Sequence, residues 1–267
     1  MAIDKSQKFI TLVRLGYAAR GVTYILLGLL ALGTSGKARD GATGVYDYLQ
    51  DMPLGTPLLW LVASGLLAYA LFKLMSGVAN IQNRDSDAMG AAKRIGDVAS
   101  GIAYLFLAYA AYKFATGGQT SSAGSGAGQE TAQPVLAFEL GAVIIGLVGL
   151  GMLVAAFMQG KQGVTGDFMK HIVGGAPRAV EGVGRAGHAA RAVVFAIIGW
   201  SLLRGAWFED ETVVKGLGEA LLSLRDSGTI YSLVAIGLLM FGAFSLVTAR
   251  YRIIPDFDGS TLKPSLR

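Results

Sequence analysis

The residues with the most scope for chemistry are two arginines set into apolar sequence, Arg20 in RLGYAARGVTYILLG (Arg14–Gly28) and Arg191 in RAGHAARAVVFAIIG (Arg185–Gly199). Ser100 holds the same place in a third related stretch, RIGDVASGIAYLFLA (Arg94–Ala108). A charge inside a bilayer is costly, so its presence points to function. Arg20 and Arg191 lie six residues further in than Arg14 and Arg185, ~9 Å along a helix. Two readings are open. In the ordinary one the side chains snorkel back to the headgroup layer. In the sharper one they line an anion or lipid-phosphate site near one membrane face, topped by Ser100. Two like charges facing one axis repel unless something negative lies between them. Tyr24, one turn beyond Arg20, could add a hydroxyl donor.

Little else invites chemistry. Cysteine is absent, which excludes disulfides and thiol ligands, and the histidines are limited to His171 and His188, too few for a metal set or a haem pair. No glycine-rich phosphate loop with its lysine, nucleophile elbow or zinc-protease helix is present. The sequence therefore points away from an enzyme, a metal or any other cofactor. Lys73 is expected to snorkel, with pairing to a buried partner as the alternative. Asp97 and Glu139 read as charges at helix starts, where the helix dipole favours a carboxylate. Arg14, Arg94 and Arg185, at the mouth of each stretch, are expected to anchor in the headgroup layer.

The elements that position these groups repeat. Stacking the three stretches puts Gly21 over Gly101 and Ala192, and Gly28 over Ala108 and Gly199. A second set of stretches repeats as well. LVASGLLAYALFKL (Leu61–Leu74) aligns with LVAIGLLMFGAFSL (Leu233–Leu246), pairing Gly65 with Gly237 and Tyr69 with Phe241. The more divergent AVIIGLVGLGML (Ala142–Leu153) fits with Gly146 at that glycine. The separation from repeat arginine to second glycine is 51, 52 and 52 residues (14 to 65, 94 to 146, 185 to 237), so the unit keeps its size. Small residues let helices approach closely where lipid gives them no hydrophobic reason to associate. Gly21, Tyr24 and Gly28 share one face, a packing seam in the ordinary reading and a binding groove in the other.

Composition sets the surroundings. The chain is 53% hydrophobic and only 15% charged, against about 25% charged in soluble domains. Mean hydropathy is +0.51. Six segments approach the roughly 20 apolar residues a span needs, at about 16–34, 57–79, 96–116, 135–158, 187–207 and 230–250. The reading is an all-α membrane protein forming one membrane domain over 1–267, with repeats at about 10–80, 90–160 and 181–254. Two spans per repeat insert every copy in the same direction, which suggests a pseudo-threefold bundle of six helices.

A net charge of +5 and a pI near 9.4 could suggest nucleic acid, yet the basic residues collect on one side. They lie at the N-terminus (Lys5, Lys8, Arg14, Arg20), at Arg84–Arg94, at Lys161–Arg191 and in the tail, while the opposite loops are poorer (Lys37, Arg39, Lys113, Arg204, Lys215, Arg225). The positive-inside rule then puts both termini in the cytoplasm, and no nucleic-acid partner is expected. The first apolar run reads as a retained span rather than a cleaved signal.

The connectors differ. Val45, Tyr48, Leu49 and Met52 fall at helical spacing with Asp47 and Asp51 turned away, and Leu217, Leu221 and Leu224 do likewise. Both stretches read as helices lying at the outer interface, or as partner-binding helices. The middle outer loop, Ala115–Pro134, is rich in Gly, Ser and Thr and reads as a flexible connector that has lost this element. Gly160–Gly184 is broken by glycine and Pro177, with room for one short surface helix around Asp167–Val173 and a docking role as the alternative.

Laid out this way, the chain resembles the bacterial membrane proteins grouped as domain-of-unknown-function family 1206. The resemblance is carried by RLGYAARGVTY with its two echoes, and by PLGTPLLWLVASGLLAYALFKL (Pro53–Leu74) matched by DSGTIYSLVAIGLLMFGAFSL (Asp226–Leu246). It covers about 10–254 and implies a multi-pass bacterial inner-membrane protein of three two-helix repeats, with no attached activity. The middle repeat departs, with Ser100 for the second arginine and no amphipathic outer helix. Two functions from different classes follow. One is a non-catalytic component that organises membrane lipids or a partner membrane protein. The other is a small-solute or ion permease through the pseudo-threefold centre. A permeation path wants polar groups at mid-depth, whereas the span middles are Leu, Ile, Val, Ala and Gly, which favours the first.

Overall fold

The computed structural model describes residues 5–33, 41–82, 87–118, 127–172, 177 and 179–253. Lys37, Arg39, Arg84, Arg178, Lys263, Arg267 and the centre of the Gly/Ser/Thr-rich loop lie outside the described residues. The described chain is helical: α1 (Lys5–Leu32), α2 (Gly41–Gln50), α3 (Gly55–Val78), α4 (Ala88–Ala115), α5 (Ala127–Leu136), α6 (Gly141–Thr165), α7 (Ala179–Phe208), α8 (Leu217–Leu222) and α9 (Thr229–Tyr251). Six of these, α1, α3, α4, α6, α7 and α9, are long and apolar enough to cross a membrane. The protein is a multi-pass membrane protein. Local chemistry sets several helix ends. Asp87 caps α4 by accepting from the Gly90 N–H at 2.7 Å. α6 stops at Gly166, which turns left-handed at φ 67° and lets its N–H reach the Gln162 carbonyl.

Glycine decides where the spans meet. A Cβ at Gly21 of α1 would lie 2.9 Å from the Gly242 carbonyl oxygen of α9, and one at Gly28 would lie 2.8 Å from that of Ala235. Gly101 of α4 meets the Ala70 carbonyl of α3 in the same way, and Gly199 of α7 meets that of Gly149 on α6. Ala192 faces Gly160 of α6. Within repeats, Gly65 of α3 presses on Ala19 of α1, and Gly237 of α9 on Ala190 of α7. Each contact runs antiparallel, so α1, α4 and α7 cross in one direction.

The helix order is a ring with one side missing. The between-repeat pairs α3–α4, α6–α7 and α9–α1 are the most extensive, and α1–α3 and α7–α9 close the first and third repeats. No comparable interface joins α4 to α6. Threefold pairing therefore does not extend to the middle repeat, and its glycines register this. A Cβ at Gly96 meets nothing within 4 Å, whereas at the matching Gly16 it would lie 2.6 Å from the Tyr69 Cβ and at Gly187 2.6 Å from the Phe241 Cα. Gly146 meets only Ala206 of α7, not α4.

The connectors correct several expectations. α2 is the helix expected before α3, and it is seated on the bundle. It is buried against α1, α3 and α4, with Tyr46, absent from the predicted apolar set, fully enclosed and Met52 exposed. Gln50 donates to the Phe114 carbonyl at 3.1 Å. α8 buries Ala220 and Leu221 and meets α2 where Gly41 approaches Gly218, so together they cover the end of the bundle away from Lys5. The middle outer loop keeps a helix after all. α5, despite Pro134, seats Ala132 beside Ile145 and Val214. The long connector is not a free surface either: its 3-10 turn, Asp167–His171, buries Phe168 against His188 and Phe244, and the Ile253 N–H bonds the His171 carbonyl at 2.9 Å.

Overpacking at a helix contact costs about 1–3 kcal/mol, whereas Gly→Ala in an open helix gains up to about 1 kcal/mol of propensity. Gly16→Ala and Gly187→Ala are expected to lower the melting temperature in mild detergent and Gly96→Ala to leave it level or raise it. Equal losses at all three positions would contradict the open α4–α6 side.

Candidate functional site

Arg20 and Arg191 sit inside the bundle, only 7% and 9% exposed. The glycine contacts put them there: Arg20 precedes Gly21 on α1, and its neighbours across the seam are residues adjoining Gly242 on α9. Arg20 donates from Nη1 to the Tyr69 hydroxyl at 2.6 Å and from Nε to Ser245 Oγ at 3.2 Å. Ser245 gives its own proton to the Phe241 carbonyl, which leaves lone pairs for the arginine. The Arg20 guanidinium carbon also lies 4.8 Å from the Tyr17 ring centre, 4.9 Å from Tyr69 and 4.9 Å from Phe241.

Arg191 has rings and little else. Its guanidinium carbon lies 4.3 Å from Phe241, 4.6 Å from Phe195 and 5.5 Å from Tyr24, and its buried Nε has no hydrogen-bond partner. Phe241 therefore serves both arginines. Tyr17 is shared in the same way between Arg20 and Arg252, whose guanidinium carbon is 5.2 Å from its ring. The result is a ladder of alternating cations and rings, Arg252, Tyr17, Arg20, Phe241, Arg191. Among the described residues no carboxylate pairs with Arg20 or Arg191. Each cation–ring contact is worth about 0.5–2 kcal/mol, while desolvating an ion costs several. Snorkelling does not describe either side chain.

The other candidates divide. Tyr24 brings its ring to Arg191, not its hydroxyl, and packs edge-on to Phe241 at 5.0 Å. Ser100 is half-buried on α4 and bonds neither arginine among the described contacts. Lys73 does not snorkel. Its Nζ lies 2.8 Å from Asp97 Oδ1, and Asp97 is no helix-start charge but a buried residue well inside α4. Arg14 is exposed. Arg94 turns to the end of α3, donating to the Gly77 and Val78 carbonyls at 2.8 and 3.0 Å. Arg185 pairs with Glu181 on its own helix, and Glu139 is exposed just before α6. Among the described residues no three His, Asp or Glu side chains gather as a metal site requires.

Reading by repeat missed Tyr17, Tyr69, Ser245 and Arg252. The usable signal was the match of Tyr69 with Phe241, the ring four residues after each second-helix glycine. His188 adds a further group. It stacks on Phe168 with ring centres 5.0 Å apart, meets the Phe241 edge at 5.4 Å, and pairs Nδ1 with Gln159 Oε1. Its Nε2 is buried without a partner.

With this geometry in hand, comparison with known proteins is specific. The family model described as Domain of Unknown Function (DUF1206) matches three stretches, residues 15–80, 95–166 and 186–252. The chain belongs to this family. The three DUF1206 matches coincide in sequence with the three helix pairs, α1 with α3, α4 with α6 and α7 with α9. A relative, the uncharacterised protein YxxB of Bacillus subtilis (strain 168), is 32% identical over 250 residues, 90% of either chain. No solved structure matches.

Removing one member of a buried ion pair costs about 3–5 kcal/mol, because the other charge is left alone. Asp97→Leu should therefore lose folded yield and melting temperature sharply, and adding Lys73→Leu should restore most of both. A double variant no better than the single one would show that Asp97 acts otherwise.

Proposed function

We propose that this DUF1206 protein is a non-catalytic component of a bacterial plasma membrane that organises lipid or a partner membrane protein, rather than a permease. The carrying observation is the filled and covered axis. Tyr69 packs edge-on to Tyr104 at 4.7 Å and Tyr24 to Phe241 at 5.0 Å, and α2 and α8 lie across one end. A path for a solute or ion wants a hydrated line of polar groups from end to end. The polar groups here gather in the half of the bundle near Lys5 and Arg252, and leucine, alanine and glycine follow.

The open α4–α6 side supports the same reading. Ile95, Ile102, Phe106, Leu147 and Leu150 are exposed there and along the adjoining faces, and in a bilayer only lipid chains or another membrane helix can cover such surface. The basic residues near the end that carries Lys5 support a cytoplasmic side for that end by the positive-inside rule.

Two measurements test this reading. In proteoliposomes, ion and small-solute flux is expected to equal that of empty vesicles; reproducible flux that scales with protein would restore the permease. The absence of native cysteine allows single-cysteine mapping. Thr212→Cys should react with an impermeant maleimide on intact cells, and Lys161→Cys only after permeabilisation. The reverse pattern would invert the topology.

A further inference from the structure

We propose that Arg191, backed by Arg20 and His188, is an anion site for a phosphate-type oxyanion that also carries a hydroxyl. The proposal rests on the lipid-organising reading and names the chemistry of the ligand. The first support is the charge balance. Arg20, Arg191, Arg252 and Lys73 crowd one half of the bundle, and the buried carboxylate there, Asp97, is bonded to Lys73. The guanidiniums are left to share rings, and two of them share Phe241. Like charges held this close in a poorly polar interior favour an anion between or beside them.

The second support is independent of charge. Arg191 is more than nine-tenths buried, yet its Nε–H has no acceptor. A buried charged donor without a partner is costly, and this one is arranged among three rings. His188 lies one turn earlier on the same face of α7, against the same Phe241 ring. In the tautomer with the ring proton on Nδ1, facing the Gln159 side-chain oxygen, Nε2 is an acceptor. That nitrogen is also buried and unpartnered. One helix face thus offers an N–H donor on a cation and, one turn away, a lone pair. A ligand satisfying both brings an anionic oxygen and a hydroxyl. A phosphodiester with a glycerol headgroup has this pair of groups, and so does free hydrogen phosphate. Arg20, with Nη1 and Nε already engaged, contributes field rather than a contact.

The test uses the full chain, purified and depleted of lipid by detergent exchange. Binding is read by thermal stabilisation and by phosphorus retained per chain, with three probes: inorganic phosphate, phosphatidylcholine vesicles, and the same vesicles containing phosphatidylglycerol. Stabilisation by phosphatidylglycerol and not phosphatidylcholine, weakened about tenfold or more by Arg191→Gln, as expected for one lost charge-assisted hydrogen bond, supports a lipid headgroup. Saturable stabilisation by inorganic phosphate with the same dependence on Arg191 supports a free phosphate. His188→Phe keeps the ring packing and removes the lone pair, so it tests the site even if Arg191→Gln folds poorly; it should weaken binding of either probe. Arg185→Gln, an exposed charge, should leave binding unchanged. Binding that is the same in Arg191→Gln and His188→Phe as in the parent, or no response to any probe, overturns the site. Flux through the protein would instead overturn the lipid-organising reading.

Discussion

Close approach of helix backbones is the constraint on which the rest of this protein depends. Lipid does not drive apolar helices together, so contact must come from packing at short range. Glycine supplies that range at Gly21 and Gly242, at Gly149 and Gly199, and at Gly187, where side chains of any size would meet backbone. The consequence reaches the polar groups. Gly242 seats α9 on α1, and Gly187 seats α7 on the Phe241 backbone. Phe241 is thereby fixed between the two helices that carry Arg20 and Arg191. The cation–ring ladder follows from the glycine contacts as geometry.

The middle repeat shows the same dependence by subtraction. Its counterpart of the arginines is Ser100, its counterpart of Tyr69 and Phe241 is Leu150, and its own two helices do not pack together. Arginine, ring and interface are lost as a set. An arginine at position 100 would have no ring four residues beyond the second-helix glycine to hold it. A ring at position 150 would face lipid, as Leu150 does. Gly96 and Gly146 keep the small size of their counterparts without the contacts. Meanwhile α4 keeps Tyr104, which packs on Tyr69 across the intact α3–α4 seam. Only features that serve the missing interface have gone.

Much of this was legible in the sequence because repetition is legible. Three stacked copies reveal six spans, their common direction and the matched arginines, since packing in a bilayer constrains residue size at fixed spacing. What repetition cannot reveal is which copies meet. The Tyr17, Asp97 and His188 positions align, yet each has a different partner: Tyr69, Lys73 and Gln159. Lys73 read as a snorkelling cation because its carboxylate sits on the next repeat. The first and third outer stretches were legible as helices, but what they pack on was not, for a related reason. Helical spacing of apolar residues identifies a face to bury, and it is equally satisfied by a membrane interface or by the open end of a bundle. Tyr46 decides the matter, being fully enclosed under α2, and nothing in its local sequence distinguishes it from Tyr48. Pro134 and the glycines around α5 pointed to a loop, but packing on α6 overrides a weak local preference.

The sharing of rings carries a last consequence for how the site must behave. An aromatic ring is electron-rich on both faces, so it can serve two cations, but its quadrupole is small beside a full charge. Phe241 and Tyr17 therefore lower the cost of burying Arg20 and Arg191 and of half-burying Arg252 without neutralising any of them. Hydrogen bonding then separates the members of the ladder. Arg20 is tied to Tyr69 and Ser245, a fixed scaffold charge. Arg252 reaches the Gln82 side chain through Nη2, whereas Arg191, with burial equal to that of Arg20, has rings around it and an unfilled Nε. Two arginines that look equivalent in the repeats thus divide into one that holds the bundle and one that is left to bind, and the division follows from Ser245 on α9, a residue that carries no charge.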